Sequence, residues 1–498
     1  MEPWIYESMV LTVIGTSGIG VGILLGWRHP LLLAAMAVLI SSAIRVLSAL
    51  LTWSWGMFPL LTEAWWWVSI AAALAGAIVA QWRRYAAYLY SLAIFGGLAV
   101  LAVAVKYLFQ VGERHHRDST GVMESALLIF QNDLDPQVWR PDEKRGLAYP
   151  LMLALGPDSR MLSSLTPLIF FSLLLLAGWL AREIMRNRVA VQWQIVAGTI
   201  VLSFSLTVPI FRVALTYINS HTLAALGLLA MTAGLITSQR DRVFSAPVAS
   251  MVGIGSLVTV TARVEGIVFA LVILAAIFSR PIFAGAKTRT VAAGMIAFTG
   301  LPLAWWLIII GSEIPDRFGL TLGWLFLFVL AGASLVALPA VDKVRWAFFP
   351  IASSVITVGI VIVIVNSGNP FVLLDSQFNN LVRGYGGWGV AALTLIASIA
   401  LIGWRTRTVE YRQLVKLLVA LIFATLFAKL FDGEGFGGSF GRDSFYDSAN
   451  RMWLHTLGVA ITAMIVGFAE FLNEATQRRF RLNDLSPARL HFKNNQQR

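Results

Sequence analysis

AAYLYSLAIFGGLAVLAVAVKYL, residues 86–108, runs directly into FQVGERHHRDSTGVMESALLIFQNDLDPQVWRPDEKRGLA, residues 109–148. The first stretch is a near-continuous apolar run, and about 20 such residues cross a hydrocarbon core of about 30 Å. In hydrocarbon the backbone must satisfy its own hydrogen bonds. A run of this length therefore reads as a helix, because barrel strands are about 10 residues long and alternate in polarity. The second stretch holds seven acidic side chains, five basic ones and the adjacent His115 and His116. So many titratable groups cannot stay in lipid. They form a loop on one face of a membrane, where a protein this oily concentrates its chemistry.

Working outward, the same apolar pattern fills the chain. Of 498 residues, 58% are hydrophobic and only 13% charged, with a mean hydropathy of +0.75. Soluble globular chains carry about 25% charged residues. Roughly 15 spanning segments can be marked, from one near 9–27 to one near 451–471. The expected fold is an all-α polytopic membrane protein, a bundle of about 13–15 transmembrane helices. The first run lacks a basic leader and a small-residue cleavage site, so a retained helix is expected there. Cysteine is absent, which excludes disulfides and thiolate metal sites. The expected organisation is helices over 1–108, a polar loop over 109–148, a helical core over 149–471 and a basic tail over 472–498.

The net charge of +12 does not point to nucleic acid, because its distribution follows the spans. Alternate connections are short and basic: Arg28; Arg83 and Arg84; Arg182, Arg186 and Arg188; Arg240 and Arg242. That side carries roughly 23 Lys/Arg against roughly 7 acids, and the other side is net acidic. Positive residues mark the cytoplasmic side. The expectation is thus a multi-pass plasma-membrane protein with its N-terminus outside, its C-terminus cytoplasmic and the 109–148 loop extracytoplasmic. Within that loop, residues 122–131 (VMESALLIFQ) are apolar at helical spacing. They are expected to form an interfacial helix with its apolar face toward lipid.

Three outward segments carry a resemblance. RDSTGVMESALLIF (117–130) followed by KRGLAYPLMLALG (144–156), then TARVEG (261–266), then DSANRMWLH (447–455), resemble in order the motifs of the GT-C superfamily of integral-membrane glycosyltransferases. The likeness is to the dolichyl-phosphate-mannose protein mannosyltransferase and aminoarabinose transferase type. These motifs cover about a tenth of the chain. About three more helices precede the polar loop than the family pattern has.

The resemblance implies a GT-C-like bundle with an extracytoplasmic interfacial helix. It also implies transfer of a monosaccharide from a polyprenyl-phosphate carrier, with inversion, to a glycan, glycolipid or protein acceptor. Asp118 matches the acidic position and is the implied general base, with Glu124 as the second carboxylate. An Asp followed by Ser-Thr-Gly is also good helix-capping chemistry. A departing phosphate calls for arginine, whose planar fork binds it in bidentate fashion. The outward candidates are Arg451, Arg442, Arg263, Arg212 and Arg145, with Tyr149, Glu265, Asn450 and His455 beside them as substrate-binding residues.

No metal site and no required cofactor are expected. Asp133 and Asp135 form a D-x-D, but a loop with seven acids yields such pairs readily, and an oxygen-ligated divalent ion is the weaker reading. A mid-helix stripe of Ser41, Ser42, Arg45, Ser48 and Thr52 reads as contact between helices rather than as a donor site. Two other classes compete. A transporter or flippase of a lipid-linked sugar would show repeated halves and helices broken near the midplane. A non-catalytic accessory subunit binding polyprenyl lipid could dispense with Asp118.

Overall fold

The computed structural model describes residues 2–54, 60–111, 117–131, 146–158, 160–241, 245–263, 378–388, 408–431 and 451–484, with isolated positions between 266 and 276, at 375 and at 392. Nearly all of this is helix. In chain order the helices are α1 Pro3–Leu24, α2 Pro30–Ser54, α3 Leu61–Trp82, α4 Ala86–Phe109, α5 Arg117–Phe130, α6 Ala148–Leu153 and α7 Leu165–Met185. There follow α8 Val191–Thr207, α9 Pro209–Thr216, α10 His221–Asp241, α11 Ala246–Ala262, α12 Val409–Phe431 and α13 Leu457–Asp484. Among the described residues seven helices are long and apolar enough to cross a membrane, which makes the chain a multi-pass membrane protein.

Proline sets several starts. Pro3, Pro209 and Pro247 occupy the first turns of α1, α9 and α11, where a missing N–H costs nothing. Pro209 also breaks a span. The apolar run over 190–210 reads as a single crossing, but α8 and α9 meet at 81°. The residue before a proline is pushed out of the helical region, and Val208 is extended. The 17 residues of α8 measure about 26 Å, so the bend falls near the end of the crossing rather than at its middle.

The core forms around α2, α7, α10 and the start of α13. Between 78% and 94% of the spans in these four helices is buried, with α2 at 83% over Pro30–Ala49. Small residues let neighbours close in. Gly227 on α10 faces Gly255 and Thr259 on α11, and Gly20 on α1 faces Gly76 on α3. A side chain at any of these glycines would meet backbone. By contrast, α3 and α4 are only 22% and 17% buried and turn Trp67, Leu74, Ile78, Leu89 and Val100 outward.

The helices preceding the polar loop are therefore not an appendage. Helix α2 packs on α1, α7, α6 and α11. Its polar stripe is buried: Ser41 bonds Ser17 Oγ and donates to the Ile14 carbonyl at 2.9 Å. Arg45 is fully buried. It donates to the Leu151 carbonyl at 3.1 Å, the Leu61 carbonyl at 3.0 Å and Thr62 Oγ1 at 3.4 Å. The guanidinium thus ties α2 to the end of α6 and the start of α3. Near the N-terminus, Tyr6 donates to the Leu155 carbonyl at 2.6 Å. Lys106 on α4 pairs with the buried Glu7 of α1 at 2.9 Å, and Ser164, just ahead of α7, also donates to Glu7.

At the opposite end of the bundle the charges lie nearer the surface. Arg188 binds Glu410 through both terminal nitrogens, at 2.8 and 3.2 Å. Glu183 accepts from Arg240 at 2.5 Å and lies 3.7 Å from Arg186. Arg182 Nη1 is 3.0 Å from His29 Nε2, so that ring nitrogen accepts and the imidazole is neutral. Burial, then the adjacent Arg182, hold the His29 pKa below its usual value.

Helix α5 corrects the expectation that its apolar face turns to lipid. Val122, Met123, Ala126 and Ile129 are buried and the helix packs on α6. An amphipathic stripe has no preference between lipid and a protein groove, and α6 supplies the groove.

Candidate functional site

The short helix α6 fixes the geometry. Its approach touches the end of α11, with the Gly146 N–H donating to the Ala262 carbonyl at 3.0 Å. Only glycine fits there, since a Cβ at 146 would press on the Thr261 oxygen and the Ala262 carbonyl carbon. These are backbone atoms of a packed helix end and cannot step aside. Helix α11 ends because Arg263 turns extended, at φ −151° and ψ 141°, after which the Gly266 N–H donates to the Arg263 carbonyl at 2.9 Å. Gly266 also abuts the Thr259 carbonyl, again leaving no room for a side chain.

A second contact completes the arrangement. Phe269 sets its ring edge-on to His455, with centroids 4.8 Å apart. His455 lies in a 3-10 turn, Met452–Thr456, that leads into α13. Its Nε2 is 3.2 Å from Nδ1 of His221, the first residue of α10. Asn219 holds the approach to that helix by accepting from the His221 N–H and donating to the Tyr217 carbonyl, both at 2.9 Å. Arg451 lies over the Tyr217 ring at 5.3 Å and is 2% exposed, worth a favourable cation–π contact of about 2 kcal/mol when desolvated.

Two of the resembling segments thus touch directly, through Gly146 and Ala262, and His455 of the third touches Phe269, three residues beyond Gly266. Arg263 and Arg451 are both buried there, at 6% and 2% exposure. A guanidinium keeps its charge when buried, so the two bring fixed positive charge to a region with little water. Arg212, on α9, is exposed, and Glu124 is exposed on α5. Tyr149 faces the interior, with its hydroxyl paired to Thr166 Oγ1 and burial raising its pKa. Asp118 falls in the first turn of α5, and its side chain lies outside the described residues. Arg145, Glu265, Arg442, Asn450, Asp133, Asp135, His115 and His116 also lie outside them. Among the described residues no group of three metal-ligating side chains occurs.

Three contributors had no distinct sequence signal: His221, Tyr217 and Asn219. Tyr217 and Asn219 lie in the turn between α9 and α10, and His221 opens α10. A Tyr-x-Asn-x-His spacing there is meaningful only once His455 and Arg451 arrive from more than 200 residues away.

Fold and site together define a multi-pass helical membrane protein with buried cationic side chains gathered at one end. No protein-family description, no curated protein and no solved structure matches the chain.

Proposed function

We propose that the protein is a membrane glycosyltransferase of GT-C type. It moves a monosaccharide from a polyprenyl-phosphate carrier to an extracytoplasmic glycan, glycolipid or protein. The observation supporting this reading is the contact of Gly146 with Ala262 next to buried Arg263, with His455, close to buried Arg451, packed on Phe269 a few residues further on. Inversion needs a base at the acceptor hydroxyl and cations at the leaving phosphate. Asp118 takes the acceptor proton as that oxygen attacks the anomeric carbon from the face opposite the phosphate. The carbon–oxygen bond to phosphate then breaks, and arginine stabilises the departing charge, with Arg451 and Arg263 as the leading candidates beside Arg212, Arg145 and Arg442.

The bend at Pro209 lies near the end of a crossing, which favours chemistry at an interface over a midplane transport site. Purified protein given a labelled polyprenyl-phosphate sugar should transfer it, and Asp118→Asn should abolish transfer while the protein stays folded. Full activity in a stably folded Asp118→Asn variant removes the base assignment. No transfer from any carrier tested removes the enzyme reading and leaves the accessory-subunit one. Single cysteines at positions 120 and 440 should label from the same side of the membrane.

A further inference from the structure

The arginine-rich end of the bundle divides into two unlike halves. Under α7, α10 and α12 the arginines are mostly neutralised, Arg182 on His29 excepted: Arg186 and Arg240 pair with Glu183, and Arg188 with Glu410. Under α1 to α4 they are not. Arg28, Arg83 and Arg84 are all exposed, and among the described residues none of them has a carboxylate within ion-pair distance.

The fold brings these three together. Helices α1 and α3 touch at Gly20 and Gly76. Both helices finish within about two turns of that contact, α1 at Leu24 and α3 at Trp82, so the two connecting turns follow close to it. The Arg28 guanidinium carbon lies 5.8 Å from the centre of the Tyr85 ring and joins one turn to the other. Both turns close with a left-handed residue, Gly26 at φ 87° and Arg84 at φ 52°. Glycine takes that conformation freely, whereas arginine at this position is retained against a backbone cost.

The surroundings specify the ligand. Helices α3 and α4 are the most lipid-exposed of the candidate spans, and Ile78 and Trp82 on α3 are 67% and 81% exposed. A tryptophan at a helix end sits at headgroup level, where lipid phosphates lie. We propose that Arg28, Arg83 and Arg84 form a binding site for the phosphate of an anionic phospholipid headgroup. Arginine forks suit phosphodiester oxygens. A zwitterionic headgroup brings its own ammonium to the same place and is disfavoured by three uncompensated arginines. This site stands apart from the candidate catalytic end and does not depend on glycosyl transfer.

The test is mass spectrometry of the intact protein released from non-ionic detergent with added phosphatidylglycerol or phosphatidylcholine. Wild type should retain phosphatidylglycerol at least about tenfold better, and Arg83→Gln or Arg84→Gln should each lower that preference about fivefold. The triple variant Arg28→Gln, Arg83→Gln, Arg84→Gln should show none, while Arg186→Gln, which alters a paired arginine, should behave as wild type. Equal retention of both lipids by wild type, or an unchanged preference in the triple variant, overturns the site. Displacement of the lipid by inorganic phosphate at equal concentration makes it a soluble-anion site and overturns the lipid assignment. If the triple variant does not fold, the two single variants, exposed on a turn, decide the outcome.

Discussion

His221 and His455 stand 234 residues apart in the chain and 3.2 Å apart in the fold, nitrogen to nitrogen. Both are 1% exposed, so this contact joins the start of α10 to the turn before α13 out of reach of bulk water. Replacing His221 by Leu removes the partner of a buried ring nitrogen, which costs about 1–3 kcal/mol. A double-mutant cycle with His455→Leu should give a coupling of about 0.5–3 kcal/mol, read from unfolding in detergent. Strict additivity would mean that the two rings are neighbours without being partners.

Gly146→Ala should destabilise the protein by about 1–3 kcal/mol, because the added methyl meets backbone of α11 on a packed face. Gly97→Ala supplies the contrast. That helical glycine has nothing within 4 Å of its would-be Cβ, so alanine should stabilise α4 by about 0.5–1 kcal/mol. Thermal unfolding of the two variants should move in opposite directions. Both moving the same way would overturn the steric account of Gly146.

Lys106→Met leaves the Glu7 carboxylate buried with its cation gone, a loss of about 3–5 kcal/mol. Adding Glu7→Gln to the same chain should restore most of it, because the uncompensated charge is then removed as well. If the double variant is as unstable as the single, the pair contributes through shape rather than charge.

Burial of His29, and then the Arg182 beside it, makes stability depend on pH. In the unfolded chain His29 binds a proton near pH 6.5, whereas in the folded protein its pKa lies lower. The unfolded state therefore holds more protons as pH falls through that range, and stability drops on acidification from about pH 7.5 toward the folded pKa. Above that window the contribution is fully present. His29→Gln, whose amide oxygen can still accept from Arg182, should flatten this part of the profile of melting temperature against pH. An unchanged slope would assign the acid sensitivity elsewhere.

Much of the architecture was legible because hydrocarbon leaves few options. The run at 86–108 became α4, Ala86–Phe109, and the basic connections fell together at one end, where α1, α3, α7 and α10 all finish. The bend at Val208 was less legible, though Pro209 carries its cause. What the sequence could not reveal was partnership. The moment of α5 identifies an apolar face without saying that α6 covers it. Nothing beside Tyr149 in the sequence tells that Thr166 pairs with its hydroxyl. Arg45 sits within a stripe of small polar residues, but two of its three acceptors are backbone carbonyls, which leave no mark in side-chain identity.

Arg45 also imposes an order on biosynthesis. Its nearer acceptors, at Leu61 and Thr62, follow within 17 residues, so α2 and the start of α3 can satisfy much of the guanidinium as soon as they emerge. The carbonyl of Leu151 comes 106 residues later, which at about 5–20 residues per second is a delay of roughly 5–20 s. During that interval the growing chain holds a cation in the membrane with one of its final ligands not yet made. Docking of α6 is then the step that closes the first helices around it, and a ribosome stalled before residue 151 should leave α2 unusually accessible to translocon crosslinking.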